Sequence, residues 1–425
     1  MPAAGRSAAD RLLLGSPLRR PPVAALIILS LLVAIVFSCL MMFVVLRSLE
    51  PGSAGVFGRG LGLAAVASLV PIAVLWYLDR RERESRFLFA VAILWGALIG
   101  TGLALPLNTA VVVAVARWLS HNPALKEYLG PEAALLIGAP LAAPLVEEFV
   151  KALGVLALFW LLRAEFDNMR DGLIYGALVG VGFNLVEAPL YVAQGFSEYG
   201  VTSWGAQFGA RFALFGLGGH ALFSGIFGTF LGLARQTARH WLRRLAPLLG
   251  LALAVLAHAL NNVLPLLVTV ALRSAGQELP KPGPSTIGFG DAWVQTSVQN
   301  LVVFLPFVVL MLALVWRSGV WERRVIREEL AGEVGDAVTP AEYEQIERDG
   351  MFKTRRLDRL DRHRSAALVN AQHELAFRKR RARIDGADPD GDPLVAGWRQ
   401  EIAELRSGRP TVSWRAPSNG ERTFG

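Results

Sequence analysis

The sequence predicts an all-α fold, a polytopic membrane helical bundle with about eight transmembrane helices and a cytoplasmic C-terminal tail. Of the 425 residues, 53% are hydrophobic, and the mean hydropathy is +0.42. Apolar runs of about 20 residues or more recur along the chain, and each is long enough to cross a hydrocarbon core as a helix. The runs are continuous rather than alternating, and lipid offers no partners for backbone polar groups, so they indicate helices rather than strands.

The hydropathy pattern places the eight spans in order along the chain. They are expected at 23–47, 58–78, 87–118, 132–162, 172–194, 204–233, 246–272 and 298–316. The first span follows a basic N-terminus and is longer than the apolar core of a signal peptide, so we expect an uncleaved anchor.

The loops between the spans alternate in basic content. Loops 79–86, 163–171 and 234–245 are rich in arginine, whereas 49–57, 119–131, 195–203 and 273–297 carry few or no basic residues. The positive-inside rule then predicts that both termini of this multi-pass protein lie in the cytoplasm, and we expect the protein in the plasma membrane. The net charge of +8 is explained by cytoplasmic loops that face membrane lipid, and no nucleic-acid partner is expected.

Composition divides the chain into three parts. Residues 1–22 form a basic cytoplasmic N-terminus, 23–316 the transmembrane domain, and 317–425 a charged cytoplasmic tail that is partly helical or disordered. In the tail, Thr339 and Glu342 around Pro340 are typical of a capping box at a helix start. A basic helix is expected at 364–383, either solvated or resting on anionic lipid.

Ionisable and amide side chains interrupt four consecutive spans. An ionisable group inside the membrane is unfavourable in free energy, so each is expected to have a partner or a function. They are Glu147, Glu148 and Lys151 in the fourth span, Asn184 and Glu187 in the fifth, Arg211 and His220 in the sixth, and His258, Asn261 and Asn262 in the seventh. Their depths are comparable, so one polar pocket between these helices is the economical arrangement. A structural ion pair explains Arg211 more simply than a chemical role.

Spacing along each helix agrees with a single pocket. Lys151 follows Glu147 by four residues and Glu148 by three, so it can neutralise either of them. The two glutamates are adjacent and point about 100° apart on a helix, so they form no dyad on one face. One is expected to serve the chemistry while the other pairs with a neighbour, and the sequence leaves open which.

Glutamate, histidine and asparagine together suit the activation of water. A desolvated carboxylate beside a histidine can take a proton from water, and a further histidine and an asparagine can stabilise an oxyanion. Two histidines and two glutamates equally suit Zn²⁺ with an open position. The single cysteine, Cys39, excludes an intrachain disulfide and a cysteine-based metal site.

Four motifs in this order resemble the PrsW family of intramembrane proteases, which is related to the CPBP group with its Rce1-type enzymes. They are E-E-x-x-K at 147–151, D-G-x-x-Y-G…G-F-x-x-x-E from Asp171 to Glu187, H-A-x-F-S-G from His220, and H-A-x-N-N at 258–262. The resemblance covers about residues 85–275, the protease-like core of the transmembrane domain. Lys151 and Glu187 stand where the CPBP pattern has arginine and histidine, which favours PrsW.

The resemblance implies a bacterial membrane protease that cleaves single-pass membrane proteins, with an anti-sigma factor as the type of substrate. It implies catalytic roles for Glu147, Glu148, His220, His258 and Asn262, supported by Lys151, Phe183, Glu187 and Asn261. A metal, if one is used, would be held by Glu148, Glu187, His220 and His258. Zn²⁺ and a metal-free glutamate mechanism both stay open.

The sequence therefore predicts an intramembrane endopeptidase in which Glu147 or Glu148 activates water with help from His220. The alternative from another class is a proton- or cation-coupled transporter that uses the buried Glu, His and Lys. A third interpretation is a non-catalytic scaffold whose tail binds a partner.

Overall fold

The computed structural model describes residues 16–79, 85–161, 166–212, 216–278, 288–348 and 362–407. These residues are almost entirely α-helical, and their only bridge between extended residues joins Val334 and Val338. The all-α prediction is confirmed for the part of the chain described.

In the described residues, eleven α-helices build the membrane bundle. They are α1 (Pro21–Ser48), α2 (Ser53–Leu78), α3 (Arg86–Leu94), α4 (Thr101–Ser120), α5 (Pro123–Leu129), α6 (Ala133–Leu161), α7 (Met169–Tyr199), α8 (Trp204–Phe212), α9 (His220–Gln236), α10 (His240–Ser274) and α11 (Phe289–Ala331). The long α11 completes the bundle and extends beyond it. A π-helical turn, Trp95–Gly100, joins α3 to α4 without a break. Among the described residues, seven helical stretches are long and apolar enough to cross a membrane, counting Arg86–Ser120 as one.

The predicted sixth span, 204–233, is not one continuous helix, and this expectation was wrong. The structure has a short helix, α8, and then α9, which is 17 residues long and begins at His220. Gly216 and Gly219 between them have φ values of +74° and +55°, which L-residues with side chains rarely adopt and which end a helix. The break places His220 at a helix start within the bundle.

The two groups of loops lie at opposite ends of the bundle. Helix α7 shows this, because its first turn contacts the C-terminal part of α11, whereas its last turn contacts Glu132, which precedes α6. Near its start, Arg170 Nη2 lies 2.8 Å from Glu322 Oε2 of α11. At its end, the Tyr199 hydroxyl donates to Glu132 Oε1 at 3.3 Å. The arginine-rich loops thus share one end with the C-terminal helices, as the alternating charge pattern predicts, although residues 80–84 and 162–165 lie outside the described part.

Helices α7 and α9 approach closely because glycines line their contact. A Cβ added to Gly176 would lie 2.2 Å from the Ser224 carbonyl oxygen, and one added to Gly180 would lie 2.1 Å from the His220 carbonyl oxygen. Only hydrogen at these positions permits such backbone proximity, as at small-residue interfaces between membrane helices. The contact brings the start of α9 against the middle of α7.

The C-terminal helices form a second packed unit at the arginine-rich end. Helix α11 continues past residue 316 to Ala331, and α12 (Pro340–Arg348), α13 (Arg362–Ile384) and α14 (Pro393–Ser407) follow. Val325, Leu330, Leu375 and other apolar residues of these helices share one buried cluster. The unit is therefore folded against itself across its described residues rather than extended along a surface.

Two details of this unit compare directly with the sequence analysis. The capping box is confirmed, since Thr339 N donates to Glu342 Oε2 at 2.9 Å and Glu342 N donates to Thr339 Oγ1 at 3.2 Å. The basic helix is α13, and several basic residues in its C-terminal half bind protein carboxylates. Arg378 Nη1 lies 3.0 Å from Asp167 Oδ2, and Lys379 pairs with Glu333. These pairings direct the charges into the protein rather than toward lipid.

Glu333 is the electrostatic centre of the unit. Burial favours the neutral acid, but hydrogen bonds from Arg399 and Lys379 outweigh it and lower the pKa of Glu333 below its usual 4.5. A lowered carboxyl pKa means that the folded state favours the ionised form. The stabilisation is therefore present above the unfolded pKa and is lost as pH falls through the folded pKa.

Candidate active site

Helix α6 carries three ionisable side chains into the interior of the bundle. Glu147 and Glu148 are buried, and Lys151 is 0% exposed. Glu147 lies 14 residues from each end of Ala133–Leu161, so the group stands at the middle of the helix. Desolvated charges in such a place require partners from neighbouring helices.

Glu148 is the acceptor at the centre of the cluster. Its Oε1 accepts a hydrogen bond from Lys151 Nζ at 2.6 Å and lies 2.9 Å from His258 Nδ1 of α10. This carboxylate therefore joins α6 to α10 and is already engaged by two donors.

His220 bridges Lys151 and Glu187. Its Nδ1 lies 2.7 Å from Lys151 Nζ, and its Nε2 lies 2.7 Å from Glu187 Oε2 of α7. An ammonium group only donates, so Nδ1 is the acceptor and Nε2–H donates to Glu187. The Phe183 ring, with its centroid 4.7 Å from that of the imidazole, packs against His220, and together these contacts fix the ring.

Arg211 of α8 holds Glu187 in turn. Its Nε donates to Glu187 Oε2 at 2.8 Å, and its Nη1 donates to Gln207 Oε1 at 2.6 Å. The expected ion pair between Arg211 and a glutamate is thus present, and it lies directly behind the carboxylate that orients His220. Helix α8 thus contributes Arg211 to the site, with Gln207 orienting its guanidinium.

Of the three glutamates, Glu147 is the one with a fully buried carboxylate oxygen that has no hydrogen-bond partner among the described residues. Its Oε1 accepts from Asn108 Nδ2 at 2.9 Å, but no described residue hydrogen-bonds its buried Oε2. This oxygen lies 3.7 Å from Lys151 Nζ and 3.8 Å from His220 Nδ1. Glu147 therefore offers a desolvated acceptor close to two nitrogen atoms of the cluster.

His258 and Asn262 complete the site from α10. Asn262 Nδ2 lies 3.2 Å from His258 Nε2 and donates weakly to the Ala139 carbonyl oxygen at 3.4 Å. The neighbouring Asn261 donates to Asn262 Oδ1 at 3.1 Å. The amide N–H groups of Asn262 are thus held at the site by long contacts that a better acceptor can replace.

Three of these side chains could hold a metal ion. One ligand atom each from Glu147, His220 and His258 lies within 4.8 Å of the other two. The unpartnered Glu147 oxygen and the two imidazoles fit the oxygen and nitrogen ligands of Zn²⁺. The carboxylate in this group is Glu147, whereas the sequence analysis named Glu148 and Glu187, which here engage Lys151 and Arg211.

The structure brings every predicted site residue into one region. Glu147, Glu148, Lys151, Phe183, Glu187, His220, His258 and Asn262 are linked by the contacts above, and Asn261 lies beside them. Sequence reasoning missed Asn108 and Gln207. The only signal for Asn108 is one amide in the apolar run LPLNTAVV, which by itself is ordinary.

Known proteins are similar to this chain over its membrane bundle. The sequence profile of the PrsW family intramembrane metalloprotease matches residues 84–311. Protease PrsW from Halalkalibacterium halodurans is 29% identical over 204 residues, 48% of this chain and 82% of that protein. Protease PrsW from Geobacillus kaustophilus is 32% identical over 173 residues, 40% of this chain and 65% of that protein.

No solved structure gives a significant match. The matching family and relatives are proteases and give no support to the transporter alternative. The matched profile covers more than half of the chain, includes all four motif-bearing helices and ends before the C-terminal unit. This chain belongs to the PrsW family of intramembrane metalloproteases, and it is a membrane peptidase.

Proposed function

We propose that the protein hydrolyses a peptide bond of a single-pass membrane protein inside the membrane, with Glu147 as the base that activates water. The observation that supports this most is the buried Glu147 Oε2, which has no hydrogen-bond partner among the described residues. A carboxylate oxygen of this kind can accept a proton from water at the site.

Glu148 is the less suitable base because two contacts at Oε1 already stabilise its negative charge. It accepts from Lys151 at 2.6 Å and contacts His258 at 2.9 Å. To accept a proton at this oxygen, Glu148 would first have to release a donor. We therefore assign Glu148 to holding α6, Lys151 and His258 together.

The reaction follows from these positions. A water O–H donates to Glu147 Oε2, its oxygen attacks the scissile carbonyl carbon, and the proton moves to Glu147 as the C–O bond forms. Glu147 then returns this proton to the amide nitrogen as the oxyanion re-forms the carbonyl group and the C–N bond breaks. The products are a new carboxylic acid, which keeps the second proton of the water, and a new amine. His220, fixed by Glu187 and Lys151, lies 3.8 Å from Glu147 Oε2 and borders the position of the water.

The oxyanion requires N–H donors, and α10 supplies one. Asn262 Nδ2 makes only long contacts, at 3.2 and 3.4 Å, in this structure. A negatively charged oxygen is a stronger acceptor than either partner, so it can draw this N–H as charge develops. His258 supports Asn262 through its Nε2.

The family name implies a metal, and Glu147, His220 and His258 would hold it. A bound Zn²⁺ would polarise the scissile carbonyl and lower the pKa of water. His220 would present Nδ1 to the ion, so Lys151 would have to release that nitrogen.

The depth of the site supports a substrate that spans the membrane. Glu147 is central in α6, at about 1.5 Å per residue from either end, so the scissile bond would lie near mid-membrane. An anti-sigma factor with a single span is the type of substrate we propose, in the plasma membrane and with both termini of the protease in the cytoplasm. The alternating charge of the loops supports this orientation.

We also propose that the chain consists of a catalytic membrane part and a separate cytoplasmic unit at the arginine-rich end. The N-terminal 1–22 and the transmembrane 23–316, with its protease core at 85–275, would form the catalytic part. The unit at 317–425 would be cytoplasmic. Its ion pairs with the α6–α7 connection, such as Arg378–Asp167, support a fixed position beneath the core.

The test uses the full chain reconstituted in lipid vesicles with a panel of single-span peptides, each carrying a fluorophore and a quencher at opposite ends. We expect wild type to cleave at least one peptide, Glu147→Gln to reduce the rate by about 10³-fold or more, and Arg348→Met to match wild type because that side chain is exposed and remote. Equal cleavage by Glu147→Gln, or no cleavage of any peptide, would contradict the proposal.

A further inference from the structure

Asn108 is a polar side chain of α4 that contacts the proposed base. Its Nδ2 donates to Glu147 Oε1 at 2.9 Å, and its Oδ1 is buried without a hydrogen-bond partner among the described residues. Helix α4 carries none of the family motifs described above. The contact therefore joins a helix with no assigned chemistry to the centre of the site.

The contact fixes the orientation of the Asn108 amide. An ionised carboxylate only accepts hydrogen bonds, so the NH₂ group must face Glu147, and the carbonyl oxygen is left as an acceptor. A buried acceptor without a donor costs free energy. A donor that arrives during function is one explanation for such an atom, and the hydrolytic water is a donor that this site requires.

The contact also decides which Glu147 oxygen is available. With Oε1 held by Asn108, the carboxylate is held in one orientation, and Oε2 faces the nitrogen atoms of Lys151 and His220 at 3.7 and 3.8 Å. Without the amide, the carboxylate can rotate and bring either oxygen closer to Lys151, where it would be engaged as Glu148 is.

We propose that Asn108 is a positioning residue for the hydrolysis: it holds the Glu147 carboxylate so that Oε2 faces the water, and its own Oδ1 accepts the second hydrogen of that water. This inference rests on the proposed function, because it takes Glu147 as the base. A structural role alone would require only that Asn108 stabilise a buried charge.

Three substitutions separate these roles. Asn108→Leu removes both the donor and the acceptor at similar volume. Asn108→Asp keeps the shape and an acceptor but has no N–H for Glu147, and Asn108→Gln keeps both on a longer side chain. Thr109→Val is the matched control, since Thr109 is exposed and its hydroxyl bonds only the Leu105 carbonyl of its own helix.

The measurement is kcat and KM of each variant in vesicles, on the quenched single-span peptide that wild type cleaves fastest. We expect Asn108→Leu and Asn108→Asp to lower kcat by about 100-fold, as for a misplaced catalytic group, with KM within about twofold. Asn108→Gln should recover at least part of the loss, and Thr109→Val should match wild type. Unchanged kcat in Asn108→Leu or Asn108→Asp would overturn the inference.

Two further results keep the outcomes distinct. Full activity of Glu147→Gln in the same assay would refute the proposed function and with it the role of Asn108, whereas an inactive Glu147→Gln beside a fully active Asn108→Leu refutes only the latter. Thermal unfolding gives a readout without cleavage: Asn108→Leu should lower Tm in wild type but much less in Glu147→Gln. Equal lowering in both backgrounds would show that Asn108 does not act through Glu147.

Discussion

Removing Arg211 tests the electrostatic arrangement behind His220. Glu187 is 7% exposed, and its Oε2 is held by Arg211 Nε at 2.8 Å and His220 Nε2 at 2.7 Å. In Arg211→Met, the buried carboxylate keeps only the histidine. Breaking a buried ion pair from one side costs about 3–5 kcal/mol, because the remaining charge is uncompensated.

The double variant Arg211→Met with Glu187→Gln separates stability from chemistry. It removes both charges, so most of the lost free energy of unfolding should return. The amide that replaces the Glu187 carboxylate still accepts from His220 Nε2 but holds it less strongly than a carboxylate does. We therefore expect the cleavage rate to stay about 10–100-fold below wild type, as for other partners that orient a catalytic histidine.

The assay is SDS titration in mixed micelles for the free energy of unfolding, beside peptide cleavage in vesicles. Arg348→Met is the control: this arginine forms an exposed pair with Glu344, and its loss should change stability by less than about 0.5 kcal/mol. The reasoning is refuted if Arg211→Met is as stable as wild type, or if the double variant is no more stable than the single one.

Three other predictions concern the metal, the helix contact and the C-terminal unit. Lys151→Met should raise the affinity of the protein for Zn²⁺ by about tenfold or more, because it removes a positive charge and frees His220 Nδ1. Equilibrium dialysis measures this affinity, and an unchanged value would contradict the prediction. Gly176→Ala should reduce cleavage strongly and lower the free energy of unfolding by about 1–3 kcal/mol, because its Cβ would lie 2.2 Å from a carbonyl oxygen of α9. The control Gly62→Ala has open space around it and should change neither quantity. Equal effects of the two substitutions would refute the close-contact argument. Because the pKa of Glu333 is lowered, wild type should lose protection of the C-terminal unit against proteolysis as pH falls from about 5 to 3, and Glu333→Gln should lack this pH step while being less protected at pH 7.

Much of the fold could be predicted from the sequence because the membrane leaves few solutions for apolar runs. The spans, the loop alternation and the start of α12 follow from length, charge and capping chemistry. The break between α8 and α9 was missed because hydropathy is blind to backbone conformation. The Gly216–Gly219 stretch is apolar, so a hydropathy window continues through it although two of its residues have positive φ.

The residues that form the site could be predicted from the sequence, but the role of each residue could not. Placing an ionisable side chain inside the membrane costs free energy, so Glu147, Glu148 and Lys151 stand out from the sequence alone. The difference between the two glutamates depends on a neighbour from another helix, Asn108, whose distance in sequence from Glu147 is 39 residues. No spacing rule connects residues on separate helices, so the sequence left the base unassigned.

The ion pairs of the C-terminal unit could not be predicted from the local sequence either. A basic run such as that in α13 has the same composition whether it meets lipid, water or carboxylates. The ion pairs of Arg378 with Asp167 and of Lys379 with Glu333 join residues distant in sequence, and only the folded arrangement reveals them.

The central claim is hydrolysis inside the membrane by water that Glu147 activates. The most direct measurement is mass spectrometry of the products of a single-span peptide cleaved in H₂¹⁸O, by wild type and by Glu147→Gln. We expect one cut near the middle of the apolar segment, one ¹⁸O atom in the new carboxylate, and no such product from Glu147→Gln. A cut confined to the polar flanks, or the same product at the same rate from Glu147→Gln, would contradict it.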